Sequence, residues 1–146
     1  MSIIYYSFWG TYAAYTMAAL RIGLYSDKNL PTEEQISAQY LLCRRFADQP
    51  GNLIYVGLDS QYREVYSLGC NRHGGMIVRA LCGMNKIFGI DSLQMISAES
   101  LEGDLPFLIQ RLSRLNFIPE RMLKKLFRIW LERSFKKCLK AGEKKI

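Results

Sequence analysis

The residues with chemical potential lie in two short stretches. Gly10 and Thr11 stand between an apolar run, "IIYYSFW", and an alanine-rich run, "AAYTMAAL". A strand that feeds a helix through a glycine turn leaves free N–H groups at the positive end of the helix dipole. Such a turn can hold an anion, here with the Thr11 hydroxyl as a further donor. The second stretch is "GCNRHGG", residues 69–75, where Arg72 and His73 precede a glycine pair that opens a helix. Arginine suits phosphate oxygens, and histidine is the side chain whose charge changes near neutral pH. Asp59 ends the strand "NLIYVGLD" and is expected to face the same crevice. Gly10, Thr11, Asp59, Arg72 and His73 are therefore the candidate anion- or ligand-binding residues.

The chemistry around these positions is sparse. No GxxxxGK[ST] is present, so there is no phosphate-gripping lysine of that kind. Residues 1–20 contain no lysine, histidine, cysteine or carboxylate. General acid–base and nucleophilic catalysis need titratable groups within reach of one another, so no catalytic residue is assigned. Cys43, Cys70, Cys82 and Cys138 are too far apart for a CxxC pair, and His73 is the sole histidine. No metal site and no cofactor are expected. The cysteines read as reduced, core-filling thiols of a cytoplasmic protein.

The elements that must position these residues follow from pattern. Ile3–Phe8 reads as a buried strand and Tyr12–Ile22 as a helix ended by Gly23. Thr32 can cap a second helix, with Glu33 and Glu34 in its first turn. Residues 52–59 and 64–69 read as a hairpin, the second strand alternating. A helix opens at Gly74-Gly75, a strand covers 92–97, and Pro106 and Pro119 start two further helices. Strands alternating with helices give an α/β class. The expectation is a single domain with a mixed, mostly parallel sheet of about four strands, flanking helices and a P-loop-like strand–turn–helix start. The uncharged start of the chain is too mixed for a membrane span and lacks the basic region of a signal peptide.

Charge is concentrated at one end. The 146-residue chain has net charge +7, and residues 119–146 hold ten basic and three acidic residues, so this segment carries all of it. Residues 1–118 form the α/β domain, and 119–146 form a basic amphipathic helix expected to pack on it. Leu123, Leu126, Phe127, Trp130, Ser134 and Cys138 share one face, and Arg121, Lys125, Arg128, Lys136 and Lys140 cover the other. Such a helix serves as a core element with a solvated face, as a surface for nucleic acid or anionic membrane, or as a groove-binding segment.

"IIYYSFWGTYAAYTMAALRIGLY…LPT" followed by "GNLIYVGLDSQYREVYSLG" resembles domain of unknown function family 3189, an uncharacterised family of spore-forming Gram-positive bacteria. The likeness covers about residues 3 to 115. The family's later signature is kept in Gly51, Tyr55, Gly57, Asp59, Glu64, Val65, Tyr66 and Gly69. Its opening turn, of the type Tyr-His-Cys-Tyr-Gly-Gly-Thr-His-Ser-Ser, is eroded. Tyr5, Gly10 and Thr11 match it. Tyr6 and Tyr12 stand at its histidine positions, Ser7 at its cysteine, Trp9 at its first glycine, and Ala13 and Ala14 at its serines. The family brings no established activity.

The combined expectation is a non-catalytic or weakly ligand-binding protein that acts through protein contacts, with itself or an intact relative. Trp9, Tyr12 and Trp130 are the expected contact residues, because interfaces favour tyrosine and tryptophan. A phosphate-ester or nucleotide-handling enzyme using Thr11, Asp59, Arg72 and His73 is one alternative. A nucleic-acid or anionic-membrane binder using residues 119–146 is the other.

Overall fold

Ile3 and Tyr5 project to one side of the first strand and Ile4 and Tyr6 to the other, and both pairs meet apolar partners. A strand apolar on both faces belongs inside a sheet covered by helices on two sides. The computed structural model has that arrangement and describes residues 1–90 and 92–144. Of the ten basic residues in the tail, Lys145 lies outside the described residues.

The elements run β1 Ser2–Ser7, α1 Ala13–Arg21, α2 Glu33–Phe46, β2 Leu53–Leu58, β3 Glu64–Gly69, α3 Gly74–Phe88, β4 Leu93–Ser97, α4 Glu99–Glu102, α5 Leu105–Ser113 and α6 Glu120–Glu143. The sheet order is β2-β3-β1-β4. β1 is parallel to both β3 and β4, and β2 is antiparallel to β3. The expected single α/β domain with a four-stranded, mostly parallel sheet is what forms. α4, a single turn, is an element that the sequence pattern did not reveal.

One face of the sheet presents Ile3, Tyr5, Val65 and Ile96 to α1, α2, α5 and α6, and this is the main core. The opposite face presents Ile4, Tyr6, Leu68 and Met95 to Ile77 and Leu81 of α3. α2 begins with a capping box: Gln35 N donates to Thr32 Oγ1, and Thr32 N donates to Gln35 Oε1. α6 buries Leu123, Phe127, Trp130, Leu131, Ser134, Phe135 and Cys138, so it belongs to the same core. Each such large apolar side chain contributes about 1.5–3 kcal/mol on burial. Leu126, expected on that face, is only half-buried, while Leu131 and Phe135 join it.

The antiparallel course of β2 overturns one expectation. Leu58 pairs with Glu64, and Glu64 pairs with Ser2, the first residue of β1. Asp59 therefore sits at the amino ends of the parallel strands, opposite the crevice it was expected to face.

Candidate functional site

The turn from β1 into α1 is held open by glycine geometry. Gly10 has φ +79°, and a Cβ there would lie 2.7 Å from Gly69 Cα. Only glycine lets the turn pass this close to the end of β3. The turn thereby presents a run of N–H groups at the carboxyl ends of the parallel strands, the usual ligand position of an α/β sheet.

A carboxylate of the chain itself fills this cradle. Glu102, at the end of α4, is 3% exposed. Ser7 Oγ donates to its Oε1 at 2.9 Å, and Phe8 N and Trp9 N donate to its Oε2 at 3.1 and 3.4 Å. The Ala13 N–H, at the start of α1, also bonds to it. Ser7 Oγ in turn accepts from Gly10 N at 3.0 Å. Trp130 Nε1 donates to the Glu102 carbonyl at 2.7 Å and so fastens α4 to α6. Burial pushes the Glu102 carboxyl up to about 7, against the donors from Ser7, Trp9, Ala13 and Phe8, which pull it down. Desolvation outweighs the hydrogen bonds here.

The second carboxylate of α4 lies at the start of α3. Glu99 Oε1 sits close to where a Cβ on Gly74 would fall, so a larger residue there would push the Glu99 carboxylate aside. A four-residue helix thus delivers one carboxylate to the start of each helix that follows β1 and β3. The spacing Glu99–Glu102, three residues on one helical turn, keeps both on the same side.

The aromatics of the turn are interior. Tyr12 is fully buried, with ring contacts to Phe127 and Trp130, and Gln110 Nε2 donates to its hydroxyl at 2.7 Å. Burial, first of all, raises the Tyr12 phenol far above the usual tyrosine range. Trp9 packs against Phe8 and Phe107 and is 9% exposed. Trp130 is 3% exposed. Trp9, Tyr12 and Trp130 were expected to form a contact surface. They are core residues instead, because α5 and α6 close over the turn. Thr11 is also buried. Gln39 Nε2 and Cys43 Sγ donate to its carbonyl, while its hydroxyl has no partner and is not presented to a ligand.

Arg72 and His73 are exposed at the same end of the sheet. With Phe8, Trp9, Ala47, Asp48, Pro50, Asn71 and Arg114 they line a cleft of 310 Å³. The structure therefore brings these two residues close to the Gly10 turn and leaves Asp59 out. Asp59 is paired with Arg63 at 2.7 Å and Arg21 at 3.3 Å and caps the β2–β3 turn through Gln61 N and Arg63 N. Burial would raise its carboxyl, but the Arg63 guanidinium and the two turn N–H groups hold it down at about 2. That is a structural role. Arg121, Lys125, Arg128, Lys136 and Lys140 are all exposed on α6, and Arg128 pairs with Glu33 and Glu132. Among the described residues no group of three or more histidines, cysteines or carboxylates could hold a metal ion, and no helix is long and apolar enough to cross a membrane.

Glu102 is the functional-site residue that sequence reasoning missed. The signal was present in "SAESLEG", a Glu-x-x-Glu directly after a strand that ends at the ligand side of the sheet.

Fold and site together define a three-layer α/β protein with a strand–turn–helix anion cradle filled by an internal carboxylate. The chain belongs to the family described as protein of unknown function DUF3189, whose model matches residues 2–127. No curated protein and no solved structure matches the chain.

Proposed function

We propose that this chain is a non-catalytic member of its family that works through contacts with another protein, a second copy or a relative. The observation that carries the reading is Glu102 in the β1–α1 cradle. A carboxylate already meets the donors that a phosphate would need, and Ser7, at the position of the family's cysteine, spends its hydroxyl on that carboxylate. The hydroxyls left in the turn, Ser7 and Thr11, are both buried, and Ser7 is already bonded to Glu102 and Gly10.

The contact surface we propose is the outer side of α3, in place of the buried turn aromatics. Met76, Met84 and Ile87 are 58%, 47% and 79% exposed. At 100° per residue they fall within about 80° of one another on the helix. Leu53 and Tyr55 of the edge strand β2 are also exposed. Apolar exposure of this extent is the mark of an interaction face. The four free cysteines support a reducing, cytoplasmic setting.

The test is site-resolved amide NMR with ATP, GTP and inorganic phosphate at millimolar concentration. The N–H signals of Gly10 and Ala13 should stay in place. Saturable shifts at those amides with micromolar affinity would overturn the reading.

The exposed basic row of α6 supports a second reading, attachment to nucleic acid or an anionic membrane. Its members project to solvent and leave the core function of the helix untouched. The enzyme alternative is the least favoured, since Asp59 and the Arg72–His73 pair lie at opposite ends of the sheet.

A further inference from the structure

We propose that the cleft lined by Arg72, His73 and Arg114 binds a small dianion of the phosphomonoester class. The proposal goes beyond the protein-contact reading and concerns a different set of groups from the filled cradle. The cleft lies at the carboxyl ends of β1 and β3, where an α/β sheet places its ligands. Three cation-capable side chains from separate segments converge on it: Arg72 and His73 from the β3–α3 turn and Arg114 from the end of α5.

Asp48 is the single carboxylate in the lining, and it pairs with Arg114 at 3.3 Å. Both partners are largely exposed, so this ion pair contributes little and is readily exchanged for a better anion. A phosphomonoester offers about two negative charges and three strong acceptor oxygens, which suits two guanidinium forks. Trp9 supplies part of the wall; it is 9% exposed, and its Nε1 is buried. Phe8 beside it gives an apolar surface for the carrier of the phosphoryl group. A volume of 310 Å³ is at the small end of ligand sites, room for a phosphoryl group on a small carrier.

His73 is the sole histidine of the chain, so its ring-proton NMR signals are identifiable without labelling. Phenyl phosphate is the probe and phenol the control. The His73 signals should shift saturably with a dissociation constant below about 1 mM. Arg72→Ala and Arg114→Ala should each weaken binding at least about tenfold, and phenol should have no effect. A drift without saturation up to about 20 mM, or unchanged affinity in both variants, overturns the proposal. A phosphoserine peptide and adenosine monophosphate, run in parallel, identify whether the phosphoryl group comes from a protein or from a free nucleotide. The cradle amides separate the two readings. Shifts at His73 with silent Gly10 and Ala13 amides support both, and shifts at those two amides count against the filled cradle alone.

Discussion

Replacing Glu102 by alanine should destabilise the fold by an amount that depends on pH. The substitution leaves Ser7 Oγ, Phe8 N, Trp9 N and Ala13 N without their acceptor. A buried donor deprived of its partner costs about 1–3 kcal/mol, so four cost roughly 4–12 kcal/mol. Against this, the variant is relieved of burying a carboxylate. The Glu102 carboxyl rises from 4.5 to about 7 in the fold, a shift worth roughly 3 kcal/mol. The sign follows from linkage. A raised acid is favoured in its protonated form, so its stabilising contribution is full below 4.5 and is lost as pH rises through about 7. Wild type should therefore exceed Glu102→Ala by more at about pH 5 than at about pH 8, the gap shrinking by roughly 3 kcal/mol. Urea denaturation of both proteins at intervals across that range measures it. Formate should restore part of the stability of the variant, and of the variant only, by occupying the vacated acceptor position. A gap that is constant with pH, or a variant as stable as wild type, would refute the reasoning.

Other perturbations test neighbouring parts of the account. Trp9→Ala and Tyr12→Ala should each lose about 3–5 kcal/mol in denaturation experiments, as core truncations do, and leave the sedimentation coefficient of the folded fraction unchanged. Gly10→Ala must place a Cβ against Gly69 at φ +79° and should yield little folded protein by circular dichroism. Asp59→Asn should destabilise at neutral pH. Asp59 is held below its ordinary 3.8, so its contribution is present above that value and disappears as pH falls through about 2; the variant and wild type should converge in acid denaturation. Lys125→Glu, Lys136→Glu and Lys140→Glu together should abolish retention on heparin at low salt without altering the thermal midpoint by more than a few degrees, which separates surface charge from the core role of α6.

Much of the fold was legible because local signals agreed. The apolar run 3–8 broken by Gly10, the cap at Thr32 and the Pro106 and Pro119 starts each named an element within a residue or two. The 100° pattern of α6 separated its buried face from its basic one, with Leu131 and Phe135 left out because they flank the stripe. What stayed hidden needed the third dimension. α4 is four residues long and shows no period. Its Glu102 meets Ser7 across 95 positions only because β4 pairs with β1. Asp59 was placed at the wrong end of the sheet because "carboxyl end of a strand" marks the ligand side only for parallel strands, and β2 runs the other way. Trp9 and Tyr12 looked like contact residues because an aromatic cluster has the same composition in a core and in an interface. The closure of α5 and α6 over the turn decides which it is.

The central claim, that the chain's own carboxylate occupies the anion cradle, is tested most directly by following the Glu102 side-chain carboxyl carbon by NMR across the pH range. The account predicts a midpoint at about 7, with the Phe8 and Trp9 amides titrating at the same pH. A midpoint at the ordinary glutamate value of 4.5, with those two amides silent, would place Glu102 in solvent and leave the cradle open.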